Sequence, residues 1–477
     1  MLKRYRSMSV IAKAAFWALF ANILQKGIGI LATPVFTRIL TAEEFAQYTL
    51  YQSWHDIFII FATLNVFNYA IYTAMVKFED DRSGFITSAQ TLTTGLSLLC
   101  FVVYFIIQMF SGDILGFPLP VVALMFADIL FISAFNLWCG KVRFEFRYRL
   151  MTVLSVLVGI AGPVLGMAAV HYVTNKGYGR IYGVAAVNIA VGFFLYLYNI
   201  KKSRCFFEKK YWKFIFVYCI PLIPHFLSTQ ILTRFDRIMI NDMCGAAQAG
   251  IYSLAYSLSN LMTIVNDGVL KALTPWTYHS IKEEKPEKLS KVVTGTLLLV
   301  AGANSLLILF APEAVKLFAP PEYYEAIYII PAVSASVYFM YLFNIFANIE
   351  YYFSETCYVA MASIAAAVLN VILNMIFIKR FGYIAAGYTT LFSYILYAAG
   401  HFVFMRRVSK KHSKGYQFYD NKSILVISVI FVTAAFAVLL LYQYPVIRWG
   451  WGLLLIIVFI SFCRRNDLKE MMKNCIG

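Results

Sequence analysis

The sequence has 477 residues, of which 61% are hydrophobic and only 14% are charged. A water-soluble protein carries about a quarter of charged residues, so this composition excludes an ordinary soluble fold. The formal net charge of +17 would suit nucleic-acid binding, but the basic residues form short clusters between apolar blocks. That pattern is typical of the ends of membrane helices. It predicts a multi-pass membrane protein without a nucleic-acid partner.

Apolar blocks recur along the whole chain, and a spanning helix needs about twenty such residues. The blocks predict about fourteen transmembrane helices and therefore an all-α integral membrane protein. Several blocks are longer than the hydrocarbon core requires, so we expect tilted or kinked helices. In chain order the predicted spans are 10–35, 46–76, 86–110, 120–139, 151–172, 181–199, 213–240, 248–273, 292–311, 325–348, 357–378, 383–405, 424–442 and 448–463.

Lysine and arginine are distributed unevenly between the two sets of predicted helix ends. Most of the 41 lie in one set, for example before the first span and after the sixth and the twelfth. The opposite set contains few, among them Arg180 and Arg448. The positive-inside rule places the richer set in the cytoplasm, so both termini are predicted to be cytoplasmic and the number of spans to be even. The turn at 350–355 contains no basic residue and gives no orientation signal.

A short internal similarity links the two halves of the chain. The stretch FAQYTLYQS (45–53) resembles AGIYSLAYS (249–257), and each opens an even-numbered predicted span in the same orientation. Six spans separate them, which predicts parallel repeats related by an axis along the membrane normal. Chance similarity between apolar helices is the alternative explanation.

Two further patterns concern helix geometry. Prolines at 34, 221, 224 and 331 fall in or beside spans, where each removes a backbone donor and can bend its helix. Gly162 and Gly166 form a GxxxG motif, which predicts close packing against a neighbouring helix.

Motifs for cofactor chemistry are absent from the sequence. The eight cysteines form no CxxC or CxxH pair, so neither a disulfide framework nor a metal site is predicted. No GxxxxGK[ST] motif occurs, and the GxGxxA stretch at 27–32 lies inside a predicted span rather than after a strand. The predicted outward loops are short. We therefore expect no cofactor and no enzymatic activity.

Ionisable residues inside a membrane are costly, and they usually mark a polar pathway or a charge pair. Asp267 and Lys271 are four residues apart and can share one helix face, either as a structural ion pair or as a cavity cation tuned by the aspartate. Lys26 lies too deep to reach the cytoplasmic interface easily, which favours a cavity-facing cation. The ionisable residues within predicted spans include Lys26, His55, Asp56, Asp128, His225, Arg234, Asp236, Arg237, Asp267 and Lys271.

The other intramembrane charges have two interpretations each. Arg234 and Arg237 lie near the outer end of the seventh span, where interfacial anchoring is an alternative to substrate binding. His55, Asp56 and Asp128 are either carriers of protons or sodium, or hydrogen-bonded packing residues.

Four motifs within 220–278 carry a family resemblance: Ile220-Pro-Leu-Ile-Pro224, Asp236-Arg237, Ala249-Gly-Ile-Tyr252 and Pro275-Trp276. Together they resemble the central signature of the polysaccharide-repeat-unit exporters, the Wzx-type or O-antigen flippases. The stretches TRILTAEEFAQYTL (37–50) and AMVKFEDDRSGF (74–85) are similar to the same family. The specific motifs cover a minor part of the chain, whereas the hydropathy pattern agrees over nearly all of it.

This family belongs to the multidrug/oligosaccharidyl-lipid/polysaccharide exporter superfamily. The resemblance implies two six-helix lobes around a central cavity, which we expect at 1–212 and 213–415, and two additional helices with a cytoplasmic tail at 416–477. It also implies a substrate, an oligosaccharide on a polyprenyl diphosphate. Alternating access would move this substrate from the inner to the outer leaflet of the cytoplasmic membrane for O-antigen, capsule or exopolysaccharide synthesis. Membrane lipids and the polysaccharide polymerase machinery are the expected partners.

The substrate implied by the resemblance assigns roles to the intramembrane charges. A diphosphate is strongly anionic, so cations are expected to bind it, and acidic residues are candidates for ion coupling or charge pairing. The expected cations are Lys26, Arg234, Arg237 and Lys271, and the acidic candidates are Asp56, Asp128, Asp236 and Asp267. The identity of the sugar and of the coupling ion stays open.

Two other classes compete with this interpretation. Cation-coupled drug exporters of the same superfamily typically have twelve spans and an acidic cavity, whereas this sequence has two more spans and an excess of intramembrane cations. A membrane polysaccharide polymerase or ligase generally needs a sizeable outward loop with catalytic arginine or histidine, and no such loop is predicted.

Overall fold

The computed structural model describes residues 10–68, 70–145, 147–282, 286–413 and 415–464. Every regular element within these ranges is helical, which confirms the predicted all-α fold. Nine of the described helices are long and apolar enough to cross a membrane, and two shorter apolar helices add to them. The multi-pass architecture is therefore confirmed, while the number fourteen and the orientation of the termini stay predictions.

The α-helices are numbered in chain order. The first nine are α1 (Val10–Ile39), α2 (Ala42–Thr63), α3 (Ala70–Lys77), α4 (Arg82–Ser111), α5 (Leu119–Phe144), α6 (Tyr148–Val170), α7 (Lys176–Lys202), α8 (Lys209–Cys219) and α9 (Ile223–Gln230). The next ten are α10 (Asp236–Cys244), α11 (Ala246–Ser259), α12 (Leu261–Lys282), α13 (Pro286–Leu309), α14 (Ala311–Phe318), α15 (Ile330–Tyr352), α16 (Thr356–Phe381), α17 (Ala385–His412), α18 (Asn421–Leu441) and α19 (Pro445–Arg464).

The chain forms two compact units, the N-unit (Met1–Gln230) and the C-unit (Ile231–Gly477). The predicted boundaries of the lobes and of the additional helices stay predictions. The two similar stretches occupy equivalent positions in their helices: Phe45 is the fourth residue of α2, and Ala249 is the fourth residue of α11. A parallel repeat requires this correspondence.

Several predicted spans are broken rather than continuous. The span 46–76 leaves the helix after Thr63, and Leu64 and Asn65 then adopt left-handed conformations with φ of 51° and 50°. The span 213–240 is interrupted by a 3₁₀ turn that contains Pro221, because proline has no amide hydrogen to continue the α-helical pattern. A π-helix follows at Ile231–Phe235, and such segments are frequent at functional sites.

Gly162 and Gly166 of α6 pack against α7, as the GxxxG motif predicts. A Cβ atom added to Gly162 would lie 3.6 Å from Val184, and one added to Gly183 would lie only 2.2 Å from the backbone nitrogen of Gly166. The two helix backbones therefore touch where glycine supplies no side chain, which is how small residues bring membrane helices together.

Replacing Gly183 by leucine is expected to destabilise the N-unit. The added side chain would collide with the backbone of α6, and overpacking of this kind costs about 1–3 kcal/mol or more. Thermal unfolding of the detergent-purified protein should show a melting temperature several degrees below that of the wild type. Gly95→Leu is the matched control, because a Cβ atom on Gly95 meets no atom within 4 Å. Equal melting temperatures for the two variants would contradict this packing.

Two basic residues that the sequence analysis counted at the outward set of helix ends are buried within helices. Arg180 is 9% exposed, and its guanidinium lies 3.9 Å from the ring of Tyr48 and 4.1 Å from that of Phe36. Arg448 is 2% exposed and donates to Glu313 and to the carbonyl of Leu309, at 2.5 and 2.7 Å. Both arginines therefore contribute to the packing of the helices around them.

The turn at 350–355, which contains no basic residue of its own, lies beside basic side chains of α17. Glu355 is hydrogen-bonded to His412 Nε2 at 2.9 Å and accepts from Lys411 Nζ at 2.6 Å. These two hydrogen bonds lower the pKa of the Glu355 carboxyl. The turn before α16 and the basic end of α17 therefore lie on the same side of the C-unit, as the predicted alternation of loops requires.

Candidate functional site

A polar cluster lies inside the N-unit, where α2, α5 and α7 pack together. Asp128 of α5 is only 2% exposed. Its Oδ2 accepts a hydrogen bond from Asn188 Nδ2 at 3.4 Å and lies 3.9 Å from His55 Nε2. His55 Nδ1 lies 3.4 Å from Asp56 Oδ1. The structure thus brings together His55, Asp56 and Asp128, and it adds Asn188, which sequence reasoning missed.

This N-unit cluster contains buried polar atoms that lack a partner. Asp128 Oδ1 and the hydroxyl of Tyr51 make no hydrogen bond within the described part of the chain. The ring of Tyr51 stacks on His55 with 6.3 Å between centroids. Because a buried carboxylate oxygen without a donor is costly, a proton or a small cation at Asp128 would stabilise the cluster. The arrangement is therefore suited to exchange a positive charge.

A second polar cluster surrounds Asp236 at the start of α10 in the C-unit. Asp236 is 1% exposed and accepts hydrogen bonds from Tyr252, Asn374 and Thr390, each at 2.7 Å. Asn374 is in turn hydrogen-bonded to Asn370 and Thr389. The three donors to Asp236 come from α11, α16 and α17, so its carboxylate connects these three helices to α10. Sequence reasoning selected Asp236 but missed these partners, which are distant in the chain.

The two arginines near Asp236 have different surroundings. Arg237 is 3% exposed, donates to the carbonyl of Thr233 at 3.1 Å and lies 4.4 Å from the ring of Tyr256. It is therefore enclosed by helices of its own unit. Arg234 belongs to the π-helix and is half-buried.

Asp267 and Lys271 both lie on α12, as predicted, and are separated by one helical turn. Lys271 is exposed, and the described residues contain no ion pair between it and Asp267. Lys26 lies in α1, but its side chain is outside the described part of the structure. Of the four expected cations, Lys271 is thus the most accessible of those with described side chains.

Sequence reasoning also missed an ionisable pair in the core of the C-unit. Glu350, which the sequence placed at a turn, lies within α15, and its Oε1 is 2.9 Å from His401 Nδ1 of α17. Both side chains are completely buried. The ring of Phe343 stacks on His401 with 5.5 Å between centroids. The pairing could not be predicted from the sequence because the two residues are 51 positions apart.

An apolar groove runs along the surface of the C-unit between α13, α18 and α19. Its volume is about 660 Å³. Aliphatic and aromatic side chains dominate the lining, and the described lining residues include no charged side chain. Representative lining residues are Leu306, Ile430, Ala434, Val438, Trp451 and Leu455. The ion pair of Arg448 with Glu313 fixes the start of α19 at one end of this groove.

Solved transporter structures share this fold. A lipid II flippase, MurJ in an inward closed conformation, is 15% identical and superposes with a TM-score of 0.71 over 95% of this chain and 100% of its own. A multidrug resistance MATE family transporter of the MOP superfamily in an inward-facing conformation is 17% identical, with a TM-score of 0.65 over 81% of this chain and 96% of its own. The transporter-like fold implied by the sequence resemblance is thereby confirmed.

Sequence comparison identifies the family. Lsg locus putative protein 1 of Haemophilus influenzae is 22% identical over 369 residues, which cover 74% of this chain and 88% of that protein. The profile of a family described as polysaccharide biosynthesis protein matches residues 11–279, more than half of the chain. This protein therefore belongs to the polysaccharide biosynthesis protein family.

Proposed function

We propose that the protein is a flippase that moves polyprenyl-diphosphate-linked oligosaccharide repeat units from the inner to the outer leaflet of the cytoplasmic membrane. The product would serve synthesis of O-antigen, capsule or exopolysaccharide. Family membership supports the polysaccharide part of this proposal. An oligosaccharide that crosses lipid unaided loses its hydrogen bonds to water, at a cost of several kcal/mol for each unsatisfied polar group. Alternating access through a polar route avoids that cost.

The apolar groove of the C-unit carries the proposal. A flippase must let a long hydrocarbon tail remain in lipid while the head group crosses, so it needs an apolar channel that opens sideways. The groove between α13, α18 and α19 has this chemistry, and its volume of about 660 Å³ lies within the range of ligand sites. We assign it to the polyprenyl chain of the substrate.

Intramembrane cations are the proposed partners of the diphosphate. Lys271 is exposed on α12, and Arg234 lies in the π-helix and is half-buried, whereas Arg237 is enclosed. An arginine can bind phosphate oxygens through two parallel hydrogen bonds, and a lysine acts as a compact point charge. Lys26 is retained as a third candidate.

The N-unit cluster is the proposed coupling site. Asp128 keeps one oxygen without a donor, whereas the oxygens of Asp236 already accept three hydrogen bonds. A carboxylate with an open coordination position can gain and lose a proton or a sodium ion during transport. Asp56, Asp236 and Asp267 remain weaker candidates for coupling or charge pairing.

A cation-coupled multidrug exporter is the second candidate, favoured by the similarity to the MATE transporter. That similarity covers 81% of this chain, against 95% for the lipid II flippase. The groove between α13, α18 and α19 has no acidic side chain among its described lining residues, whereas a carrier of amphipathic cations generally needs acidic residues in its cavity. Both observations favour the flippase.

Deletion of the gene, followed by leaflet-resolved analysis of polyprenyl-linked glycans, tests the proposal. Complete repeat units should accumulate on the cytoplasmic side, and surface polysaccharide should disappear and return on complementation. Repeat units that still reach the outer leaflet but stay unpolymerised would contradict the flippase and indicate a polymerase or ligase. Normal polysaccharide with increased sensitivity to cationic drugs would indicate the exporter instead.

A further inference from the structure

A basic pocket lies at one end of the N-unit, where the start of α4 meets the ends of α5 and α7. Its volume is about 210 Å³. The charged residues that line it are Lys141, Glu145, Arg147 and Lys202. None of them belongs to the N-unit cluster around Asp128 or to the cations proposed for the diphosphate. The basic pocket is therefore a separate feature of the N-unit.

The cations of the basic pocket leave hydrogen-bond donors for a ligand. Lys141 Nζ donates to Ser83 Oγ at 2.7 Å and lies 3.9 Å from Glu145 Oε1. The head groups of Arg147 and Lys202 are exposed and make no hydrogen bond or ion pair with any described residue. Glu145 can balance one of these three positive charges, so two remain for an anionic ligand.

The sequence limits what else the connection between α5 and α6 can add to this charge. The side chains of Phe146 and Tyr148 lie outside the described part of the structure. Phenylalanine has no ionisable group, and tyrosine is neutral near pH 7. Neither residue can therefore neutralise the cations of the basic pocket.

The walls of the basic pocket are fixed by hydrogen bonds. Asn199 of α7 is buried, and its Nδ2 donates to Gln90 Oε1 of α4 at 2.8 Å. Its carbonyl accepts from Thr87 Oγ1 of α4 at 3.1 Å. In the turn after α5, the amide nitrogen of Arg147 donates to the carbonyl of Val142 at 2.9 Å. A ligand therefore does not have to order these walls when it binds, which favours affinity.

An apolar pocket adjoins the basic pocket and has a volume of about 170 Å³. We call it the leucine pocket, because it is lined by Leu150, Leu154 and Leu195. Four further residues line both pockets, namely Trp138, Val142, Arg147 and Tyr198. Because the two pockets share these residues, an amphiphile can place its charged group in one pocket and a hydrocarbon chain in the other.

The leucine pocket lies on a surface suited to lipid. Leu150 is exposed, as are Val153 and Leu157 further along α6 and Phe194 on α7. Both helices are apolar enough to span a membrane, so these exposed side chains face hydrocarbon. The basic pocket lies at the lysine- and arginine-rich ends that the positive-inside rule assigns to the cytoplasm. Basic pockets between membrane helices on that side bind anionic lipid head groups.

We propose that the two pockets together bind one anionic glycerophospholipid of the inner leaflet. Its phosphodiester would lie among Lys141, Arg147 and Lys202, and one acyl chain would occupy the leucine pocket. Arg147 lines both pockets, and a guanidinium can bind two phosphate oxygens at once. A zwitterionic lipid lacks the net negative charge that the two uncompensated cations require. This inference does not depend on the proposed flippase function.

Photo-crosslinking of the wild-type protein in nanodiscs tests the site. The nanodiscs consist of phosphatidylcholine with a small fraction of phosphatidylglycerol that carries a diazirine on one acyl chain, and mass spectrometry maps the label. We expect label on peptides that contain 150–154 and 193–197, at a yield about tenfold above that from phosphatidylcholine with the same diazirine chain, as two unpaired cations would give. Lipid that only surrounds the helices would label equally with both probes.

The double variant Arg147→Gln with Lys202→Gln should abolish this preference for phosphatidylglycerol. Glutamine removes both charges and keeps a polar side chain at two exposed positions. Arg149→Gln with Lys201→Gln is the matched control, because Arg149 and Lys201 are exposed neighbours with the same charges and line neither pocket. The control should keep the preference. Equal labelling by the two probes in the wild type, or an unchanged preference in the double variant, would overturn the inference.

Competition on the wild type distinguishes a membrane lipid from other sources of phosphate. Unlabelled phosphatidylglycerol should suppress the label, whereas glycerol 1-phosphate, which has no acyl chain, should not. Suppression by glycerol 1-phosphate would indicate a site for a soluble phosphate and overturn the inference. Suppression by farnesyl diphosphate but not by phosphatidylglycerol would assign the pockets to the substrate's diphosphate and overturn it as well.

Discussion

Substituting Asp128 by asparagine is expected to reduce transport of lipid-linked repeat units by roughly ten- to a hundredfold. Typical coupling free energies between two sites correspond to factors of this size. Asparagine has nearly the same shape, and its carbonyl oxygen can still accept the hydrogen bond that Asn188 donates at 3.4 Å. It cannot carry a proton or balance a cation beside His55. The variant should therefore fold normally and bind substrate, but lose the step driven by the ion.

The measurement follows arrival of repeat units in the outer leaflet at several pH values between about 5 and 8, where histidine changes its charge, with and without sodium. Wild-type transport should depend on one of these variables, and Asp128→Asn should depend on neither. Asp242→Asn is the matched control, because Asp242 is exposed near the end of α10. Wild-type rates in Asp128→Asn would exclude the N-unit cluster as the coupling site.

Filling the apolar groove by Ala434→Trp is expected to weaken binding of long polyprenyl substrates by more than tenfold. Ala434 lies on α18 and lines the groove, so an indole ring there occupies the space assigned to the lipid tail. Each buried methylene contributes about 0.8 kcal/mol, and a loss of two already exceeds a factor of ten. Short farnesyl probes, which need little of the groove, should bind almost unchanged.

Affinity measured against probes of increasing polyprenyl length distinguishes a blocked groove from a general loss of substrate binding. The wild type should bind longer chains more tightly, and Ala434→Trp should show a flat dependence. Thr433→Trp provides the control, since Thr433 is an exposed neighbour that does not line the groove. A length dependence that survives in Ala434→Trp would place the lipid tail elsewhere.

Properties carried by the apolar pattern were predictable from the sequence. Hydropathy alone predicted an all-α membrane protein, because lipid leaves backbone groups no partner outside helices. The GxxxG motif predicted the contact of Gly162 and Gly166 with α7, since small residues on one face permit close approach. Isolated charges in apolar spans led to Asp128 and Asp236, because charges at such positions require partners.

Properties that depend on tertiary contacts were not predictable from one sequence. The partners Asn374 and Thr390 lie 138 and 154 positions from Asp236, and no local pattern connects them. The turn at Leu64 and Asn65 contains neither glycine nor proline, and Asn65, which tolerates a left-handed backbone, was too weak a signal to predict the break. Arg180 and Arg448 lie beside predicted loops in the sequence. Only the aromatic rings around Arg180 and the ion pair of Arg448 with Glu313 show that both residues have structural roles.

The buried pair of Glu350 and His401 has a consequence for biosynthesis. Membrane helices enter the bilayer in chain order, and α16 is synthesised between the helices that carry the two residues. Until α17 emerges, the carboxyl of Glu350 has no imidazole beside it, and an unpaired ionisable group in lipid is costly. We therefore expect α15 to reach its final position late, when α17 arrives, and a ribosome that stalls between the two to leave the C-unit unassembled.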